Sequence, residues 1–74
     1  MHYHLIGIKG SGMSALACIL KKLGANVTGS DVTNVYFTDE KLHHAGIKPL
    51  AFDKNNINTD IDTIIVGNAF GEDN

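Results

Sequence analysis

The 74-residue chain contains no arginine and no tryptophan, and only one cysteine and one proline. Without arginine it lacks the side chain that grips guanine bidentately, and its net charge of −2 leaves no basic face. Nucleic acid is therefore excluded as a partner. Cys18 has no partner for an internal disulfide, which suits a reducing compartment. It falls mid-helix among apolar residues, so a packed thiol is expected. No apolar run approaches the roughly 20 residues that cross a bilayer. Met1-His-Tyr-His lacks the basic segment of a secretory signal. A cytoplasmic protein with no membrane partner is the expectation.

The four histidines have no cysteine or carboxylate at zinc spacing around them, so no metal site is expected. His43 and His44 suit the negative end of a helix. Ser14 and Cys18 lie one helical turn apart without an orienting base, so no catalytic nucleophile is expected. The acids Asp53, Asp60, Asp62, Glu72 and Asp73 read as a solvated rim. Tyr3, Tyr36 and the three phenylalanines read as core or loop packing, with base stacking the alternative for Phe70 at the crevice.

What the chain does have is punctuation by glycine. Tyr3–Ile8 reads as a strand whose apolar run lacks alternation, as in a sheet covered on both faces. A helix follows from about Gly12 to Leu23. Met13, Leu16, Ala17, Leu20 and Leu23 share one face, and Gly24 ends it. Asn26–Ser30 reads as a second strand closing at Asp31. Residues 32–36 are ambiguous. A second helix covers about Phe37–Ala45, with Thr38 as its cap and Gly46 beyond its end. Ile47–Ala51 reads as a third strand, confined to a sheet edge by Pro49. Asp53–Asp60 reads as a loop, and Asp62–Gly67 as a fourth strand.

Strands alternating with helices imply right-handed crossovers and a parallel sheet. The expected fold is α/β, a Rossmann-like three-layer αβα arrangement with a short sheet in the order 3-2-1-4. In that order the connections of strands 1 and 4 leave in opposite directions, and ligands sit at such a switch point. The loops at Lys9–Gly12, Ser30–Asp31 and Asn68–Phe70 converge there.

Three glycines in six residues at the first crossover carry an entropic cost that a plain turn seldom requires. A P-loop pattern fits Gly7, Gly12 and Ser14, but Met13 stands where its lysine must be. The dinucleotide pattern fits Gly10, Gly12 and Ala15, with Asp31 at about the expected 20-residue separation. Backbone N–H groups at a helix start suit a phosphate. On spacing alone the ligand is the diphosphate of a nucleotide. A nicotinamide dinucleotide and a UDP-sugar both satisfy it.

Gly7-Ile-Lys-Gly-Ser-Gly-Met-Ser-Ala-Leu-Ala17, then Leu23-Gly24, then Val27-Thr-Gly-Ser-Asp31 resembles the opening of the Mur ligases of peptidoglycan synthesis. Tyr36-Phe-Thr, Ala45-Gly-Ile47 and Ile65-Val-Gly-Asn-Ala-Phe70 extend the resemblance over nearly the whole chain. Many members carry glycine where this chain has Lys9. The resemblance implies a first domain that holds UDP-N-acetylmuramate. A second domain would bring ATP and Mg²⁺, and a third would help bind an amino acid. The reaction it implies activates a carboxylate as an acyl phosphate, which an amino group then attacks.

On this resemblance residues 1–74 are expected to be an N-terminal nucleotide-sugar domain, truncated, with no cofactor of its own and inactive alone. Its partners would be the UDP-sugar and the remaining ligase domains. The N–H groups of Gly10, Ser11, Gly12 and Met13 are expected to cradle the diphosphate, with Ser14 in the first helical turn and Lys9 adding charge. Asp31 is expected to accept from the ribose or the uracil, and Asn68 and Ala69 to line the uridine side.

Overall fold

A computed structural model describes residues 1–34 and 36–67 of the chain. β1 (His2–Ile6) leads into α1 (Ser11–Lys22), β2 (Asn26–Asp31), α2 (Thr38–His44), β3 (Leu50–Ala51) and β4 (Thr63–Val66). All pairings are parallel, in the order β3-β2-β1-β4. The expected sheet order therefore holds. β1 stops two residues early because Gly7 turns the chain at φ +87°, a backbone conformation that side chains with a Cβ rarely adopt.

Both helices end the same way. Beyond α1, Gly24 donates to the Lys21 carbonyl and Ala25 to the Leu20 carbonyl. Beyond α2, Gly46 donates to His43 and Ile47 to Leu42. This paired closure satisfies the carbonyls that a helix end leaves open, and it folds the following apolar residue back onto the helix. That is why Ile47 is not in a strand as expected. It is buried with Leu42, and β3 keeps only two residues after Pro49. Thr38 is not the cap of α2 either. Phe37 holds that position without a side-chain cap, and Thr38 turns its hydroxyl elsewhere.

The core is Leu5, Ile8, Ala17, Val27, Leu42 and Ile47, with Tyr3, Met13, Leu16, Leu20 and Ile65 packed against it. Fully burying a side chain such as Leu5, Ile8 or Leu42 stabilises by roughly 1.5–3 kcal/mol. Leu23, expected on this face, is 78% exposed because it follows the last helical turn. Cys18 is half-buried rather than fully packed. Gly29 makes the closest approach. A Cβ there would lie 2.7 Å from the Ile8 Cβ, so only glycine lets β2 pass beneath the turn that follows β1.

The helices cover one face of the sheet and pack on each other. The opposite face has no helix among the described residues. The β3–β4 connection must cross from one edge to beside β1, and its only helical piece is a 3₁₀ turn at Lys54–Asn56. Among the described residues the helices therefore form one layer, on one face of the sheet. On the opposite face His2 Nε2 and His4 Nδ1 each share a hydrogen bond with the Thr28 hydroxyl, both at 2.8 Å. His4 Nε2 faces the Ser30 hydroxyl at 3.2 Å. Burial, and secondarily the neighbouring His2, holds the His4 imidazole below its ordinary pKa.

Candidate nucleotide site

The glycine-rich turn and the end of β2 meet at one cleft of about 790 Å³. Its floor is Gly7, Lys9, Gly10, Ser11, Gly12 and Met13. One wall is Asp31, Val32, Tyr36 and Phe37, and the other is Val66 and Gly67. The turn is held by a short ladder. Gly7 and Ile8 both donate to the Ser30 carbonyl, and Gly10 donates to Gly7 at 3.0 Å. Ser14 donates to Gly10 at 2.7 Å, which starts the helix.

The first-turn N–H groups of a helix have no partner within it. Gly10 caps α1 without any side-chain acceptor. The Gly10 N–H, expected in the cradle, is taken by the Gly7 carbonyl, whereas those of Ser11, Gly12 and Met13 are free to meet an anion, with the positive helix end behind them. Ser11 and Gly12 are exposed. A Cβ added at Gly12 meets nothing within 4 Å, so that position opens onto empty space. Ser14 is not on the cleft. It is fully buried, and its hydroxyl donates to the Ser11 carbonyl at 3.0 Å, stiffening the turn from behind.

Asp31 lies beside the loop, at the same rim as the free amides. Its Oδ2 accepts from the Lys9 N–H at 2.8 Å and its Oδ1 from the Val32 N–H at 2.7 Å. Each oxygen keeps a further lone pair for a hydroxyl or N–H donor. Its first duty, however, is to pin the turn after β1 to the end of β2. Lys9 departs further from expectation. It lines the cleft, but its ammonium donates to the Asn34 carbonyl at 2.7 Å and to Asp39 Oδ2 at 3.2 Å. Tyr36 and Phe37, expected as packing, are instead exposed on the cleft wall. A marker for them was present: two aromatics directly before a helix start, off any apolar periodicity. Asn68, Ala69 and Phe70 lie outside the described residues.

Among the described residues no group of three His, Cys, Asp or Glu side chains could hold a metal. No helix among them is long and apolar enough to cross a membrane.

A family described as "Mur ligase family, catalytic domain" matches residues 2–74. A UDP-N-acetylmuramate–L-alanine ligase of Streptococcus thermophilus is 58% identical over 97% of this chain, and the match spans 16% of that relative. One from Streptococcus gordonii is 60% identical over the same share of each. The chain thus spans about a sixth of the length of these relatives.

Among solved structures, a murein peptide ligase of Psychrobacter arcticus superposes with a TM-score of 0.80 at 35% identity. That match covers 90% of this chain and 14% of the other. A UDP-N-acetylmuramate:L-alanyl-γ-D-glutamyl-meso-diaminopimelate ligase from Neisseria meningitides gives 0.78 at 32% identity, covering 89% and 21%. These relatives support the ligase reading rather than the nicotinamide reading that glycine spacing alone left open. With free amides at the first crossover, an acid at the end of β2 and a match along nearly its whole length, this chain belongs to the Mur ligase family.

Proposed function

We propose that this chain is the nucleotide-sugar-binding part of a UDP-N-acetylmuramate–L-alanine ligase. The observation that carries the reading is the trio of unpartnered N–H groups at Ser11, Gly12 and Met13, opening on the cleft that Asp31 borders. Three amides at a helix start bind a diphosphate without a charged side chain, through hydrogen bonds of about 1.5–3 kcal/mol each. Gly12 keeps the approach clear. Asp31 then faces the nucleoside, since a carboxylate is tolerable there only against hydroxyl or N–H donors. On the family resemblance, Asn68 and Ala69 belong to the uridine side.

ATP and Mg²⁺ do not fit the residues present. Met13 replaces the P-loop lysine, and the described residues offer no cluster of metal ligands. In this reading the carboxylate activation belongs to other domains of a longer ligase, and this chain alone binds and orients the substrate. A cytoplasmic setting follows from a UDP-sugar substrate and an ATP-dependent partner domain.

Isothermal titration calorimetry with UDP-N-acetylmuramate and with NAD tests the reading. The sugar nucleotide should bind and NAD should not. Equal binding of both, or of NAD alone, would overturn it.

A further inference from the structure

Lys9 sits inside the glycine-rich turn yet is only 8% exposed. Every polar group it owns is engaged with residues between Asp31, the last of β2, and Asp39 in α2. Its N–H donates to Asp31 and its carbonyl accepts from the Thr38 hydroxyl at 2.6 Å. Its ammonium reaches the Asn34 carbonyl and Asp39, and lies 5.8 Å from the centre of the Tyr36 ring. The other oxygen of Asp39 is buried with no partner among the described residues. Lys9 is therefore the countercharge of that carboxylate. If the ammonium left for a phosphate, Asp39 would stay half-buried and uncompensated, which is costly.

The clasped segment carries Tyr36 and Phe37 to the cleft wall. Phe37 is 84% exposed there, so a large apolar face is open at the rim. A planar base stacked on it would bury that face.

We propose that Lys9 is a positioning residue that holds Tyr36 and Phe37 as a stacking wall for the nucleoside base, and is not a charge partner of the diphosphate. The proposal rests on the nucleotide-binding reading above. It divides the ligand in two. The diphosphate depends on main-chain amides, and the nucleoside depends on the Lys9 clasp.

Calorimetry with UDP and with inorganic pyrophosphate separates the two halves. The proteins are the unmodified chain, Lys9→Met, Phe37→Ala, their combination, and the paired change Lys9→Met with Asp39→Leu. Phe37→Ala should weaken UDP by roughly 5- to 100-fold, the range for one base–aromatic stack. Lys9→Met should weaken UDP by about tenfold and leave pyrophosphate within about twofold, the error of such comparisons. The Lys9→Met, Phe37→Ala combination should be no worse than the more severe single change, because both act on one wall. The paired change with Asp39→Leu removes both charges and strands no carboxylate, so it should keep the fold if Lys9→Met alone does not. It should show the same split between ligands.

Equal losses for UDP and pyrophosphate would make Lys9 a phosphate ligand and overturn the proposal. So would unchanged UDP affinity. Failure of the unmodified chain to bind UDP at all is a different result, and it would overturn the nucleotide reading itself.

Discussion

Gly12 gives the cleanest perturbation of the site. Its missing side chain points into open space, with no protein atom within 4 Å of an added Cβ. Its backbone is helical, so a side chain adds no strain. Replacing an exposed helical glycine with alanine gains up to about 1 kcal/mol, and valine recovers part of that. Gly12→Val should therefore fold as well as the unmodified chain. The same branched side chain fills the space in front of the Gly12 and Met13 amides. A diphosphate pushed off two amides loses charge-assisted hydrogen bonds of about 1.5–3 kcal/mol each, or about 3–6 kcal/mol together. At 1.4 kcal/mol per power of ten, affinity for UDP-N-acetylmuramate should fall by roughly a hundredfold or more. Calorimetry gives the affinity and a urea melt gives the stability. Retained affinity with a normal melt would refute the placement of the diphosphate. Asp31 offers no such separation, because its carboxylate also holds the Lys9 amide.

Four further outcomes are expected. Asp31→Ala should destabilise by about 1–3 kcal/mol, since it leaves the buried Lys9 N–H without an acceptor; the urea midpoint measures it. Gly29→Ala should cost about 1–3 kcal/mol by driving a Cβ into Ile8, and a melting curve unchanged from the unmodified chain would contradict that contact. Leu42→Ala should cost about 2–5 kcal/mol, enough to collapse amide dispersion in the proton spectrum of so small a domain. His4 sets a pH dependence. Its folded pKa is lowered, so the folded chain resists a proton that the unfolded chain accepts. The stability from neutral His4 is present above about pH 6.5 and is lost as pH falls from there toward the lower folded value. Urea midpoints at two pH values should show this loss, and His4→Gln should reduce it.

The order of elements was legible because it is written locally. Glycines 24 and 46 end the helices, and apolar residues at helical spacing give the core face of α1 from Met13 to Leu20. Pro49 put β3 at an edge, which agrees with the expected order 3-2-1-4. Contacts stayed hidden where a residue answers to a distant partner. Ile47 resembles a strand residue in its own neighbourhood, but its N–H and side chain return to Leu42. Lys9 resembles a phosphate ligand, but its acid, Asp39, is thirty residues away along the chain. Tyr36 and Phe37 have the composition of core, and only their place before a helix start, off the apolar periodicity, marked them as rim residues. The β3–β4 crossing reads as a loop, and the structure gives it one 3₁₀ turn at Lys54–Asn56. The meeting of loop and acid at one cleft was legible, since both lie at the carboxyl ends of adjacent strands.

The central claim is that the N–H groups at the start of α1 hold a diphosphate. A ¹⁵N-edited NMR titration of the chain with UDP-N-acetylmuramate reads those groups one by one. The amides of Ser11, Gly12 and Met13 should move downfield together as the ligand saturates, and inorganic pyrophosphate should move the same three. Saturation that leaves these three amides in place while shifting others would contradict the account.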